Sequence, residues 1–206
     1  MRLLLAAAGF LFACFSVLAQ PATQERLKIV QGDPVALKAA VEAGRKASFF
    51  CANCHGETGV SKSQEIPNLA GQNAAYLLEQ IRKFGSGERK DPFMQGLIKV
   101  LKDDERVQIA LFFASQASAR SKADAGLVAR GKELFGKLCT RCHGDDAHGN
   151  EQYPRLAGQN LVYLQSSITR YRDGTGVRNN QLMSIATAPL KNDDIVAIVN
   201  YLTQLP

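Results

Sequence analysis

Cys51-Ala52-Asn53-Cys54-His55-Gly56 returns 88 residues later as Cys139-Thr140-Arg141-Cys142-His143-Gly144, and the two copies do not stand alone. Pro67-Asn-Leu-Ala-Gly-Gln-Asn73 recurs as Pro154-Arg-Leu-Ala-Gly-Gln-Asn160 at a shift of 87, which Tyr76 and Tyr163 keep, as do Phe84 and Tyr171. Arg89 and Met94 match Arg178 and Met183 at a shift of 89, and Leu101-Lys-Asp-Asp104 matches Leu190-Lys-Asn-Asp193 at the same shift. Insertions of one or two residues between landmarks account for the drift. Two matching halves imply two similar domains. We place them at residues 35–117 and 126–206, with 118–125 as linker inside the Ser/Ala/Lys-containing stretch Ser115–Ala125 and 20–34 as an N-terminal extension.

Working outward from the cysteines, the periodicity is helical. Leu37–Phe50 carries Ala, Val and Phe at helical spacing before the first motif, and Val128–Leu138 does the same before the second. Segments rich in helix formers, Ala74–Phe84 and Leu161–Tyr171, follow each Gly-Gln-Asn, with Asn73 and Asn160 placed as N-caps. In the last helix of each half, Asp103 or Asn192 can cap. Val107, Ala110, Leu111 and Ala114 then share one face, as do Val196, Val199 and Thr203. No alternating, strand-like run of useful length occurs. The expected fold is all-α, built twice.

The first nineteen residues read differently. Met1-Arg2 is a positive start, Leu3–Ala19 is a 17-residue uncharged stretch, and Val17-Leu18-Ala19 supplies small-residue cleavage chemistry. Residues 1–19 are therefore expected to be a removed signal peptide, which places the chain in the periplasm. A retained anchor is the rival reading, since 17 residues lies at the lower limit for spanning. Lipidation at Cys14 is disfavoured by bulky Phe12 and Phe15. Removing the segment takes Arg2 away, so the formal charge falls from +6 to +5, 24 basic against 19 acidic. No basic run accompanies that charge, so nucleic-acid binding has no support. A modest basic surface suits brief docking with acidic partners, or is a generic soluble charge.

With Cys14 gone, all four remaining cysteines lie in the two motifs. Cys-x-x-Cys-His is the pattern of covalent c-type haem attachment. Each thiol adds to a porphyrin vinyl group, and the adjacent histidine binds the iron. The spacer sets the sulfurs about one helical turn apart. A thioredoxin-like pair needs one such motif beside a strand–helix unit, which is missing. A four-cysteine zinc site draws on neighbouring knuckles, whereas these pairs lie 88 residues apart. Two covalently bound haem c groups, with iron held by His55 and His143, are the expectation.

The second axial ligand follows by elimination. The chain has three histidines, and His148, five residues after His143, reads as a surface-loop residue. Of three methionines, Met1 belongs to the leader, leaving Met94 and Met183, one per half, each five residues after a matching arginine. A lone methionine is most often core filler. Repeat-equivalent placement turns that reading toward axial ligation. His/Met ligation closes the iron to substrate and raises the potential, which suits an electron carrier and not an enzyme. A peroxidase would need an open iron.

These residues resemble the class I cytochromes c, and more closely the two-domain dihaem cytochrome c4 family, from about Leu37 to Leu205. The resemblance implies two tandem class I cytochrome c domains, each wrapped around one haem. It implies that Pro67 and Pro154 offer carbonyls to the ligating histidines, or are simply turn prolines. It further implies that Gly44 and Gly131 let the first and last helices of each half cross closely, beside Phe112 and Tyr201. Tyr76, Tyr163, Arg89 and Arg178 would bond haem propionates, or serve plain packing and surface roles. Gly44 lies seven residues before Cys51 but Gly131 lies eight before Cys139, so the two pockets need not match. The implied partners are redox proteins: a bc1-type donor and a terminal cytochrome oxidase, with peripheral membrane association an open point. The alternative is an electron-accepting haem subunit of a periplasmic oxidoreductase such as a sulfide-oxidising flavocytochrome.

Overall fold

The computed structural model describes residues 23–206, which form eleven α-helices and no strand. The leader reading of residues 1–19, with Met1 and Cys14, lies outside the described residues. The first half holds α1 (Thr23–Gln31), α2 (Pro34–Ala47), α3 (Phe49–His55), α4 (Ala74–Ser86), α5 (Pro92–Lys99) and α6 (Asp103–Ala114). The second holds α7 (Ala125–Leu138), α8 (Thr140–His143), α9 (Leu161–Arg172), α10 (Gln181–Thr187) and α11 (Asn192–Gln204). Each half has its own buried cluster, around Leu78, Val107 and Phe113 in one and Phe135, Ile195 and Leu202 in the other.

Helices α2 and α6 of the first half, and α7 and α11 of the second, cross at a glycine. A methyl group on Gly44 would lie 2.0 Å from the Gln108 carbonyl oxygen and 2.8 Å from Phe112 Cβ. On Gly131 it would lie 2.0 Å from the Ala197 oxygen and 2.8 Å from Tyr201 Cβ. Both crossings match the expectation, down to the aromatic residues. The extension packs as well: Leu27 of α1 is buried in the first core, and Arg26 pairs with Asp104 at 2.7 Å.

Several local expectations need correction. The run before the first motif is not one helix. It breaks at buried Ser48, whose hydroxyl donates to the Arg45 carbonyl at 3.0 Å. The break turns Phe49 and Phe50 outward, 71% and 69% exposed, so they do not extend the apolar stripe of α2. Helices α6 and α11 begin at Asp103 and Asn192 themselves, one residue too early for either to act as the cap. The N-cap positions are Lys102 and Lys191, whose backbone N–H groups donate to Glu105 at 2.8 Å and Asp194 at 3.0 Å. Both helices are also buried well beyond one face, because packing against the first helix and the rest of the half encloses them.

The largest correction concerns Asn73 and Asn160. They sit at the N-cap positions of α4 and α9 but make no capping bond. Their amides cross to the other half instead. Asn73 Nδ2 donates to the carbonyls of His148 (3.1 Å) and Tyr153 (3.2 Å), and Asn160 Nδ2 donates to those of Ser63 (3.0 Å) and Ile66 (2.7 Å). The preceding glutamines do likewise. Gln72 takes the Arg155 N–H at 2.7 Å and gives to its carbonyl at 2.8 Å, while Gln159 takes the Asn68 N–H at 2.7 Å and gives to its carbonyl at 2.9 Å. The repeated Gly-Gln-Asn is thus a reciprocal clasp between halves. Gln72→Ala would leave a backbone pair of Arg155 without partners, at about 1–3 kcal/mol per buried group. Faster amide hydrogen exchange at Arg155 is the expected result, with Asn68 responding in the same way to Gln159→Ala.

Candidate haem sites

The two cysteine motifs lie on α3 and at the α7–α8 junction, and each ends in a buried histidine. The glycine that follows each histidine has a reason: Gly56 and Gly144 adopt φ of 82° and 77°, a region that disfavours other residues. This turn swings the chain away from the helix and back past the imidazole. His55 Nδ1 lies 2.9 Å from the Pro67 carbonyl oxygen, and His143 Nδ1 lies 3.0 Å from that of Pro154. A carbonyl only accepts, so Nδ1 carries the proton and Nε2 keeps its lone pair. Burial lowers the pKa of both rings, so each is a neutral donor at physiological pH.

Met94 and Met183 each occupy the third residue of a short helix, α5 and α10. Asp91 accepts the Met94 N–H at 3.0 Å, and Asn180 accepts the Met183 N–H at 3.0 Å, so one capping interaction sets both methionines. Cys51, Cys54, His55 and Met94 line one cavity together with Cys139, Cys142, His143 and Met183. Its volume is about 1020 Å³, at the upper end of the roughly 300–1,000 Å³ common for ligand pockets. All eight residues singled out from the sequence thus line this cavity. His148 is not among the lining residues. It sits half-exposed in a loop beside Asp146, 3.1 Å away, and its Nε2 faces the Pro206 oxygen at 3.0 Å.

The donor chemistry fits haem and not the rivals. None of the four cysteines is in a disulfide. Burial pushes the Cys139 thiol up to about 11 and raises Cys51 too, opposite to the depressed values of redox dithiols. No group of three or more His, Cys, Asp or Glu residues is arranged to hold a bare metal ion among the described residues. The cavity wall also carries an unpartnered polar atom: Arg155 Nε has no hydrogen-bond partner among the described residues. A large apolar group with polar edges, anchored through sulfur and facing a neutral imidazole, suits these residues.

Sequence reasoning missed the clasp residues Asn68, Gln72 and Gln159, and did not foresee that Arg89 reaches Tyr163 of the other half at 3.1 Å. For Gln72 and Gln159 the signal was visible as an identical polar residue in both halves, where helix formation alone would tolerate variation; Asn68, matched by Arg155, gave no such signal.

Paired Cys-x-x-Cys-His helices, histidines held by proline carbonyls and an all-helical half repeated twice define a two-domain class I c-type cytochrome. The cytochrome c family model matches residues 128–206. Cytochrome c4 of Pseudomonas aeruginosa is 37% identical over 175 residues, spanning 79% of this chain and 87% of that protein. The crystal structure of reduced recombinant cytochrome c4 from Pseudomonas stutzeri superposes with a TM-score of 0.76 at 34% identity, covering 81% of this chain and 98% of that one. The thiosulfate dehydrogenase electron acceptor of Stutzerimonas stutzeri is 32% identical over 170 residues, 75% of this chain and 78% of that protein. The chain belongs to the cytochrome c4 family. It is an electron-transfer protein and not an enzyme, and it carries two covalently bound haem c groups through its two Cys-x-x-Cys-His motifs.

Proposed function

We propose that the chain is a periplasmic carrier that takes electrons from a bc1-type donor and delivers them to a terminal oxidase. Residues 35–117 and 126–206 form the two haem-binding units, joined by 118–125. Cys51 and Cys54 anchor one haem and Cys139 and Cys142 the other. His55 with Met94 and His143 with Met183 close the two irons. One observation carries this reading: each half supplies a single buried histidine and a single capped methionine, at equivalent positions, to the same cavity. The bound groups supply one-electron chemistry between ferric and ferrous iron. The protein's part is to hold each imidazole through Pro67 or Pro154, to present a thioether from a fixed helical turn, and to keep water away with buried Leu77, Ile98, Leu164 and Ile198. The periplasmic location is supported by the composition of residues 1–19, and no described helix is long and apolar enough to cross a membrane.

A carrier docks weakly and leaves quickly. Mixing the oxidised holoprotein with a reduced bc1-type complex is expected to give fast, salt-sensitive reduction and no complex stable to gel filtration. The relative that serves as a thiosulfate dehydrogenase electron acceptor supports a second reading, an electron-accepting partner of a periplasmic oxidoreductase. That reading requires a co-purifying dehydrogenase and slow reduction by the bc1-type complex.

A further inference from the structure

The wall between the two halves carries one arginine from each. Arg89 lies between α4 and α5, and Arg178 lies between α9 and α10. Each stacks on an aromatic ring at the same repeat position of its own half: the Arg89 guanidinium carbon is 4.3 Å from the Phe84 ring centre, and that of Arg178 is 5.8 Å from Tyr171. Both also converge on a single oxygen. Arg89 Nη2 donates across the boundary to the Tyr163 hydroxyl at 3.1 Å, and Arg178 Nη2 donates to the same hydroxyl. The equivalent Tyr76 hydroxyl receives neither among the described residues.

Arg178 is 8% exposed, and Arg89 also donates from Nη1 to Gln80 Oε1 at 3.0 Å. Burial pushes the Tyr163 hydroxyl up, but the Arg178 and Arg89 charges outweigh it and draw its pKa down to about 8. Ser167 lies one helical turn beyond Tyr163 on α9, and Tyr163, Arg89, Arg178 and Ser167 all line the cavity.

We infer that Tyr163 is a positioning residue: it holds Arg89 and Arg178, one cation from each half, at the wall shared by the two haem sites, so that each cation acts on the reduction potential of both haems. The inference rests on one haem being held in each half. A fixed positive charge disfavours the more positive ferric state, and a low-dielectric wall carries that influence further than water would. Because Arg89 crosses the boundary, its removal is felt in the half to which it does not belong.

The test is spectroelectrochemical titration of the two haems in the holoprotein and in Arg89→Gln, Arg89→Lys and Tyr163→Phe, with proton NMR of the ferric haem methyl groups assigning each step. Arg89→Gln is expected to lower both potentials, reducing the ferrous-to-ferric ratio at fixed applied potential by about three- to tenfold at each haem. Arg89→Lys keeps the charge and restores most of the shift. Tyr163→Phe keeps both charges, removes one oxygen, and moves both potentials by a smaller amount. If Arg89→Gln does not load haem, Tyr163→Phe carries the test alone. A shift confined to the first haem, or to neither, overturns the inference. Haem content, measured as the pyridine haemochrome, is a separate readout: fewer than two haems per chain in the parent protein would undo the underlying two-haem reading instead.

Discussion

Met94→Ala is expected to turn one closed haem into a haem that binds carbon monoxide, one equivalent per chain, while the other stays silent. Met183→Ala should do the same in the second half, and the double variant should bind two. The methionines are set by their helices: each is the third residue of a short helix, its N–H taken by the side chain of the N-cap residue, Asp91 or Asn180. Removing the thioether leaves that backbone intact, so the effect is local. No spare imidazole is at hand, because the described residues hold one further histidine, His148, outside the cavity wall. The potential of the affected haem should fall on the order of a hundred millivolts, since a thioether ligand favours ferrous iron. Unchanged spectra in Met94→Ala would remove Met94 from the ligand set.

Gly131→Ala is expected to destabilise the second half by about 3 kcal/mol or more, near the top of what overpacking costs. The new methyl would meet the Ala197 carbonyl oxygen at 2.0 Å, and a backbone atom in mid-helix cannot rotate aside as a side chain can. Helices α7 and α11 must part by more than 1 Å to restore contact distance, and they loosen the packing of Phe135 and Tyr201, whose ring centres are 5.6 Å apart. Gly44→Ala should behave alike in the first half, against Gln108 and Phe112. Gly136 provides an internal control. It lies on the same helix as Gly131 with nothing within 4 Å of an added methyl, so Gly136→Ala should stabilise by about 0.5–1 kcal/mol. Denaturant melts of the three holoprotein variants read these signs directly. Equal effects at Gly131 and Gly136 would mean that the crossing is not tight.

Much of this architecture is legible in sequence because covalent haem attachment and close helix crossings demand particular residues at particular places. Cysteine spacing, the glycine after each histidine, Gly44, Gly131 and the two prolines are of this kind. Their roles depend on a few neighbouring atoms and survive translation into spacing. The clasp was legible only as a repeat. Gln72 and Asn73 look like a helix start, and local chemistry supports that reading, but their partners lie 75 to 83 residues away in the other half. Nothing in the period of a helix reports on a partner across a boundary. The same holds for Arg89, whose matched position with Arg178 points to its own half although its hydrogen bond crosses to Tyr163. Phe49 and Phe50 mislead for a different reason. They continue the apolar spacing of α2, but the backbone at Ser48 turns, and hydrophobicity alone does not encode that turn.

The central claim is that both irons are closed, and addition of carbon monoxide to the reduced holoprotein at neutral pH tests it most directly. The visible spectrum should show no prompt change at either haem. Immediate binding at one haem or both would mean that an axial position is open, contradicting His/Met ligation at that haem and with it the account of the chain as a simple carrier.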